Sequence, residues 1–172
     1  MILDLREFDS FPAHAYLEGN PDRISLDYMG LRGVKKVTVE LDIQKSGEEY
    51  FCQGKVEAIV KLECARCLQE FDACIDNKTD FIICSERQFS ARTEKTIDDE
   101  DYVFFQRADL QTDLTNIVRQ TIILAVGMKP LCSEDCRGLC PHCGVNLNKQ
   151  SCHCAAEKID PRWEGLNRIR NG

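Results

Sequence analysis

From Lys36 onward the chain alternates. Val37, Val39, Leu41 and Ile43 are separated by Thr38, Glu40 and Asp42, the two-residue period of a strand with one face in a core. "KSGEE" (45–49) has turn composition. A second run follows, with Val56, Ala58, Val60 and Leu62 on one face, Lys55, Glu57 and Lys61 on the other, and Ile59 breaking the polarity. These runs predict an antiparallel hairpin of long strands. A third strand is expected over 71–84 and a fourth in "YVFFQ" (102–106). "MILDL" at the start reads as a short strand, and residues 24–28 alternate only weakly. Residues 85–101 are polar and acidic with little periodicity, so a surface loop is expected there.

The period then changes. Leu114, Ile117, Val118, Thr121, Ile122 and Ala125 form one stripe of an amphipathic helix over about 113–126. Asp113 or Thr112 fits as its N-cap, and Gly127 with Pro130 as its stop. At 160–169, "DPRWEGLNRI" predicts a short helix started by Asp160 and Pro161 and packed through Trp163, Leu166 and Ile169. The pattern describes an α+β protein. An antiparallel sheet or partial barrel packs with one amphipathic helix in residues 1–130, and a cysteine-rich segment with a short last helix fills 131–172.

Composition narrows the class. Hydrophobic residues make up 43% and charged residues 30%, a balance that builds a globular core. No apolar run approaches the roughly 20 residues of a membrane-spanning helix. Asp4, Glu7 and Asp9 stand where a signal peptide would be basic and then apolar. A cytoplasmic protein is expected, and there thiols stay reduced.

That compartment gives meaning to eleven cysteines. An odd count in reducing surroundings argues against a disulfide framework. Eight of the eleven are paired: Cys64/Cys67 and Cys140/Cys143 as C-x-x-C, Cys132/Cys136 as C-x-x-x-C, and Cys152/Cys154 as C-x-C. Zinc-ligand pairs sit two to four residues apart because a tight turn aims both sulfurs at one ion. Eight thiolates suffice for two structural zinc ions. One partition sets Cys140, Cys143, Cys152 and Cys154 in a local site and Cys64, Cys67, Cys132 and Cys136 in a long-range site. A rival joins 132, 136, 140 and 143, leaving 152 and 154 with 64 and 67, and a third makes one site only. Local loops close at least entropic cost, which favours the first. Arg66 and Arg137 lie where their charge would offset the thiolates. His142 and His153 stand between ligands and offer alternative donors.

A redox reading of Cys64 and Cys67 meets an obstacle: a thioredoxin-type pair needs a helix N-terminus to lower its thiol pKa, and Cys64 ends a strand. Cys52, Cys74 and Cys84, without close partners, read as small buried hydrophobes. His14 reads as structural. No phosphate loop, nucleophile elbow or histidine metal triad occurs in the sequence. An ion held by four cysteines has no open position for a substrate, so it builds structure.

Two stretches carry a resemblance. "KLECARCLQEF" (61–71) and "LCSEDCRGLCPHCGVNLNKQSCHC" (131–154), with "DPRW" downstream, resemble the YceD family, the large ribosomal RNA subunit accumulation proteins. The matching positions are Cys64, Cys67, Cys132, Cys136, Gly138, Leu139, Cys140, Cys143, Gly144, Asn146, Asn148, Cys152, Cys154, Asp160, Pro161 and Arg162. Gly127 departs from the pattern, where a proline is expected. The resemblance implies a non-enzymatic bacterial factor supporting 23S rRNA accumulation and large-subunit assembly. A thiol oxidoreductase or metal-handling protein using Cys64/Cys67, and a zinc-stabilised adaptor for another complex, are the alternatives.

Charge suggests the partner. The formal net charge is −7 with a pI near 5.0. Residues 132–172 carry +1 and residues 1–131 carry −8. An acidic body suits a basic ribosomal protein or a large-subunit precursor better than bare phosphate. Arg162, Trp163, Arg168 and Arg170 offer at most a minor RNA contact. No membrane and no small-molecule substrate is expected.

Overall fold

The structure is a computed structural model and describes residues 1–24, 30–90, 102–105 and 110–154. The expected helix at 160–169, with Arg162, Trp163, Arg168 and Arg170, lies outside the described residues, as does the weak alternation beyond Ile24.

The alternating runs form the centre of a five-stranded sheet. Strand β3 (Leu31–Ser46) turns through Gly47 and Glu48 into β4 (Glu49–Glu63), which is followed by β5 (Glu70–Cys84). Strand β2 (Ala13–Glu18) flanks β3, and β6 (Tyr102–Phe104) flanks β5, giving the order β2-β3-β4-β5-β6. Val37, Val39, Leu41 and Ile43 face inward opposite Ala58, Val56, Gly54 and Cys52. Gly54 is required by that register. A Cβ there would meet the Glu40 carbonyl oxygen at 2.0 Å and Leu41 Cδ2 at 2.7 Å, so β3 closes onto bare backbone.

Helix α2 (Thr115–Ala125) buries Val118, Thr121 and Ile122 against β5 and β4. The Thr121 hydroxyl donates to the Ile117 carbonyl (2.9 Å) and lies 3.3 Å from Thr79 Oγ1 on β5, from which it can accept, which satisfies a buried polar group at the seam. A second, two-stranded sheet pairs β1 (Ile2–Asp4) with β7 (Gln111–Asp113). Through it Leu3 and Leu5 enter the same core as Leu114.

Several expectations are corrected. Strand β6 runs parallel to β5, so the sheet is mixed, because the chain crosses over before re-entering beside β5. Among the described residues β2 and β6 do not pair, so of the two expected forms, sheet or partial barrel, the sheet is the one seen. The region after Ser85 starts with a short helix, α1 (Glu86–Ser90), whose Phe89 packs on Tyr102 and Phe104 at 4.9 and 5.3 Å between ring centroids. Leu114 takes the N-cap position of α2, while Asp113 Oδ1 accepts the Thr115 amide at 2.9 Å. Cys52 and Cys84 are buried as expected, but Cys74 is exposed, since it points from β5 to the solvent face opposite Ile75.

Candidate metal centres

Two tight turns build the site, and they are copies of one another. In Cys64-Ala65-Arg66-Cys67, the Leu68 amide donates to the Cys64 carbonyl (2.9 Å) and the Cys64 amide to the Gln69 carbonyl (2.9 Å). In Cys140-Pro141-His142-Cys143, the Gly144 amide donates to the Cys140 carbonyl (2.9 Å) and the Cys140 amide to the Val145 carbonyl (2.8 Å). Each turn closes on a left-handed residue, Leu68 at φ 57° and Gly144 at φ 72°. Glycine is the ordinary solution there, and a leucine adopts it at a cost of about 1–2 kcal/mol.

The fold brings the first turn to a fixed place, between the ends of β4 and β5. Beyond α2 the chain returns to it, where the Pro130 carbonyl accepts the Ala65 amide at 2.8 Å. This sets Cys132 and Cys136 beside Cys64 and Cys67. The Cys64–Cys136 and Cys67–Cys132 sulfurs are each 3.7 Å apart, and all four lie within 4.8 Å of one another. Cys140, Cys143, Cys152 and Cys154 form a second group under the same limit, with Cys140 and Cys152 sulfurs 3.4 Å apart. The geometry thus follows the partition into one long-range and one local cluster. His142 and His153 belong to neither group among the described residues. The long-range cluster is the more enclosed, with Cys64, Cys67 and Cys136 buried and Cys132 exposed; in the local cluster only Cys140 is buried.

Four thiols at this spacing cannot ionise alike. Burial pushes the Cys64 thiol up, but the amides of Cys132, Cys67 and Arg66 outweigh it and bring it down to about 6. The amides of Cys143 and His142 likewise bring Cys140 down to about 6. The Asn148 side-chain amide lowers Cys136. Neighbouring sulfur acts the other way on two of them: Cys136 pushes Cys132 up to about 12, and Cys143 does the same to Cys154. A dication among the sulfurs removes that repulsion. The donor set fits zinc, for bonds of about 2.3 Å in a tetrahedron place sulfurs about 3.8 Å apart.

Sequence reasoning missed what joins the two clusters. The Arg66 guanidinium donates to the carbonyls of Glu134 (3.2 Å) and Cys136 (2.9 Å), and the Leu139 amide to the Arg66 carbonyl (3.2 Å). Arg66 therefore works chiefly as a backbone tie. Asn148, from the loop of the local cluster, donates Nδ2 to Cys136 Sγ at 3.2 Å and accepts the Arg137 amide on Oδ1 at 2.7 Å. No periodicity or ligand spacing marks such an asparagine.

Away from the clusters, an open groove of about 460 Å³ crosses the solvent face of the sheet. Glu40, Asp42, Asp76 and Asp80 line it with His14, Gly54, Lys55 and Lys78. His14 pairs with Asp42 (3.0 Å), and Lys55 with Glu57 (2.6 Å) and Asp76 (3.0 Å).

A β-sheet body carrying two four-cysteine clusters, each of which could hold a metal ion, defines a class of cysteine-rich β proteins. Within it the chain belongs to the YceD family, described as large ribosomal RNA subunit accumulation protein YceD, whose profile matches residues 52–170. An uncharacterized protein of Mycobacterium tuberculosis is 32% identical over 151 residues, covering 86% of this chain and 68% of the relative. A chloroplastic protein of Arabidopsis thaliana named large ribosomal RNA subunit accumulation protein YCED homolog 1 is 24% identical, covering 83% of this chain and 54% of the relative. A protein of the same name from Zea mays is also 24% identical, covering 85% and 56%. No solved structure matches.

Proposed function

We propose that this protein is a non-enzymatic factor of the bacterial cytoplasm that supports 23S rRNA accumulation and assembly of the large ribosomal subunit. The family carries the ribosomal reading. The observation that carries the structural one is the gathering of eight cysteines into two four-sulfur clusters. In this reading each cluster holds one structural zinc ion and residues 131–172 form a metal-bearing segment attached to the β-rich body of residues 1–130. Four thiolates would fill the coordination of each ion, so the metal supplies folding free energy and no hydrolytic chemistry.

The redox alternative finds less support. Cys64 and Cys67 sit in a turn that leads through Leu68 and Gln69 into β5, and two further cysteine sulfurs lie against theirs. No helix among the described residues is long and apolar enough to cross a membrane.

The partner in this reading is a basic ribosomal protein or a large-subunit precursor, met by the acidic sheet face. Sucrose-gradient sedimentation of extracts tests it: the protein should travel with large-subunit precursors. Sedimentation with free protein alone, under low salt and with unaltered rRNA levels in a deletion strain, would sink the proposal.

A further inference from the structure

The two clusters share a side chain. Asn148 lies between Cys143 and Cys152, in the loop that the local cluster closes, yet its Nδ2 reaches a sulfur of the other cluster. Its position is fixed from three directions. Its Oδ1 accepts the Arg137 amide, its own amide donates to Asn146 Oδ1 at 2.9 Å, and the Leu147 amide beside it donates to the Gly138 carbonyl at 2.9 Å. Asn146 itself pairs with Leu139 in an isolated bridge. Every one of these contacts depends on the loop between Cys143 and Cys152 keeping its shape. Cys143 and Cys152 of the local cluster stand at the two ends of that loop.

We propose that Asn148 couples the two metal sites, so that loading of the local cluster tightens metal binding at the long-range cluster. This rests on the metal reading above. A metal at the local cluster fixes the loop, the loop holds the Asn148 amide 3.2 Å from Cys136 Sγ, and that contact orients the sulfur among the other three of its cluster. A charge-assisted N–H···S contact is stronger than a neutral one. The local cluster spans residues 140–154, whereas the long-range cluster joins turns separated by β5 and α2, so the loop-closure cost falls mainly on the latter. Loading is therefore ordered, local first. By reciprocity, metal at the long-range cluster also tightens the local one. Asn148 is a positioning residue: it orders a ligand and is not one.

A double-mutant cycle on the full chain tests this. Metal-free protein is titrated with zinc chloride against a chromophoric chelator, and the occupied cluster is assigned by which cysteines resist alkylation. Removing the local cluster with Cys152→Ser and Cys154→Ser should weaken zinc at the long-range cluster by roughly 10- to 100-fold. In an Asn148→Ala background the same removal should change it by less than about threefold. Asn148→Asp, which keeps the acceptor for Arg137 and loses the donor, should behave as Asn148→Ala does, with far-UV circular dichroism confirming an intact sheet. Equal losses with and without Asn148, or no loss on removing the local cluster, would overturn the coupling. Absence of zinc from both clusters would overturn the metal reading instead.

Discussion

Gly138 touches Arg66 backbone to backbone: a Cβ on Gly138 would stand 3.0 Å from the Arg66 carbonyl oxygen and 3.3 Å from its Cβ. At φ 74° the glycine is also left-handed. Gly144 has the same conformation at φ 72° but open space where its Cβ would be. The pair separates conformational cost from contact cost. Gly144→Ala should lose about 1 kcal/mol of stability. Gly138→Ala should lose about 1–2 kcal/mol more, because the two turns must part. Denaturant unfolding of both variants checks this, and equal losses would mean that the close approach carries no energy.

Metal content follows from the sulfur geometry. Protein purified without chelator should hold two zinc equivalents by elemental analysis, one per cluster. A single equivalent, or an iron–sulfur absorption spectrum, would contradict the assignment.

Cys64 and Cys136 lie in turns far apart in sequence, with sulfurs 3.7 Å apart. Replacing Cys64 by Ser should therefore loosen two regions at once. Hydrogen exchange should rise in its own turn and across residues 126–137, since a lost structural metal removes folding free energy wherever its ligands are anchored. Unchanged protection over 126–137 would show that the returning segment is held by the sheet and not by the cluster.

Acid stability has one assignable source at the start of α2. Burial raises the Asp113 carboxyl, but the Thr115 hydroxyl and amide and the Met1 amine outweigh it and bring it down to about 2. An ordinary unfolded aspartate titrates near 3.9. The folded value is the lower, so the contribution is present above about pH 4 and is lost as pH falls through about 2. The side chain is 66% exposed, and solvent screening holds the effect below about 1 kcal/mol. The stability difference between wild type and Asp113→Asn should shrink over that window. A constant difference would remove the carboxylate from the account.

The acidic sheet face predicts a salt-sensitive association. Reversing Glu40, Asp42 and Glu57 to Lys should weaken binding to large-subunit particles by about tenfold or more, and added salt should mimic the loss. Reversing Arg168 and Arg170 to Glu should weaken it mildly. If the arginine reversal alone abolishes association, the protein binds RNA first and the faces are assigned wrongly.

Much of the fold was legible because it is written in local periods. The alternation at Val37–Ile43 and Val56–Leu62 marked the hairpin, and the stripe from Leu114 to Ala125 marked α2 to within two residues. The cysteine pairs were legible because tight turns need fixed spacing. Other features are set by contacts distant in sequence. The parallel entry of β6 depends on a crossover, and the three-residue strands β1 and β7 pair with each other from far apart in the chain. Cys74 shows the limit of composition: a thiol's burial follows the face it takes on its strand, here the outward one. Leu68 in a left-handed turn and Asn148 against a foreign sulfur leave no periodic trace.

The long-range cluster also has a topological consequence. Its four sulfurs join the stretch after β4 to the stretch after α2, so a bound metal closes everything between into a ring. Inside that ring are β5 and α2, which meet through Thr79 and Thr121. With the ring closed, α2 can leave β5 only a short way, and the unfolded chain has fewer conformations open to it, as with a long-loop disulfide. Unlike a disulfide, a closure of this kind would open under a chelator without any reductant. If the cluster holds a metal, its supply would then govern the route by which the chain unravels as well as its stability, since only the open chain could peel from the helix end.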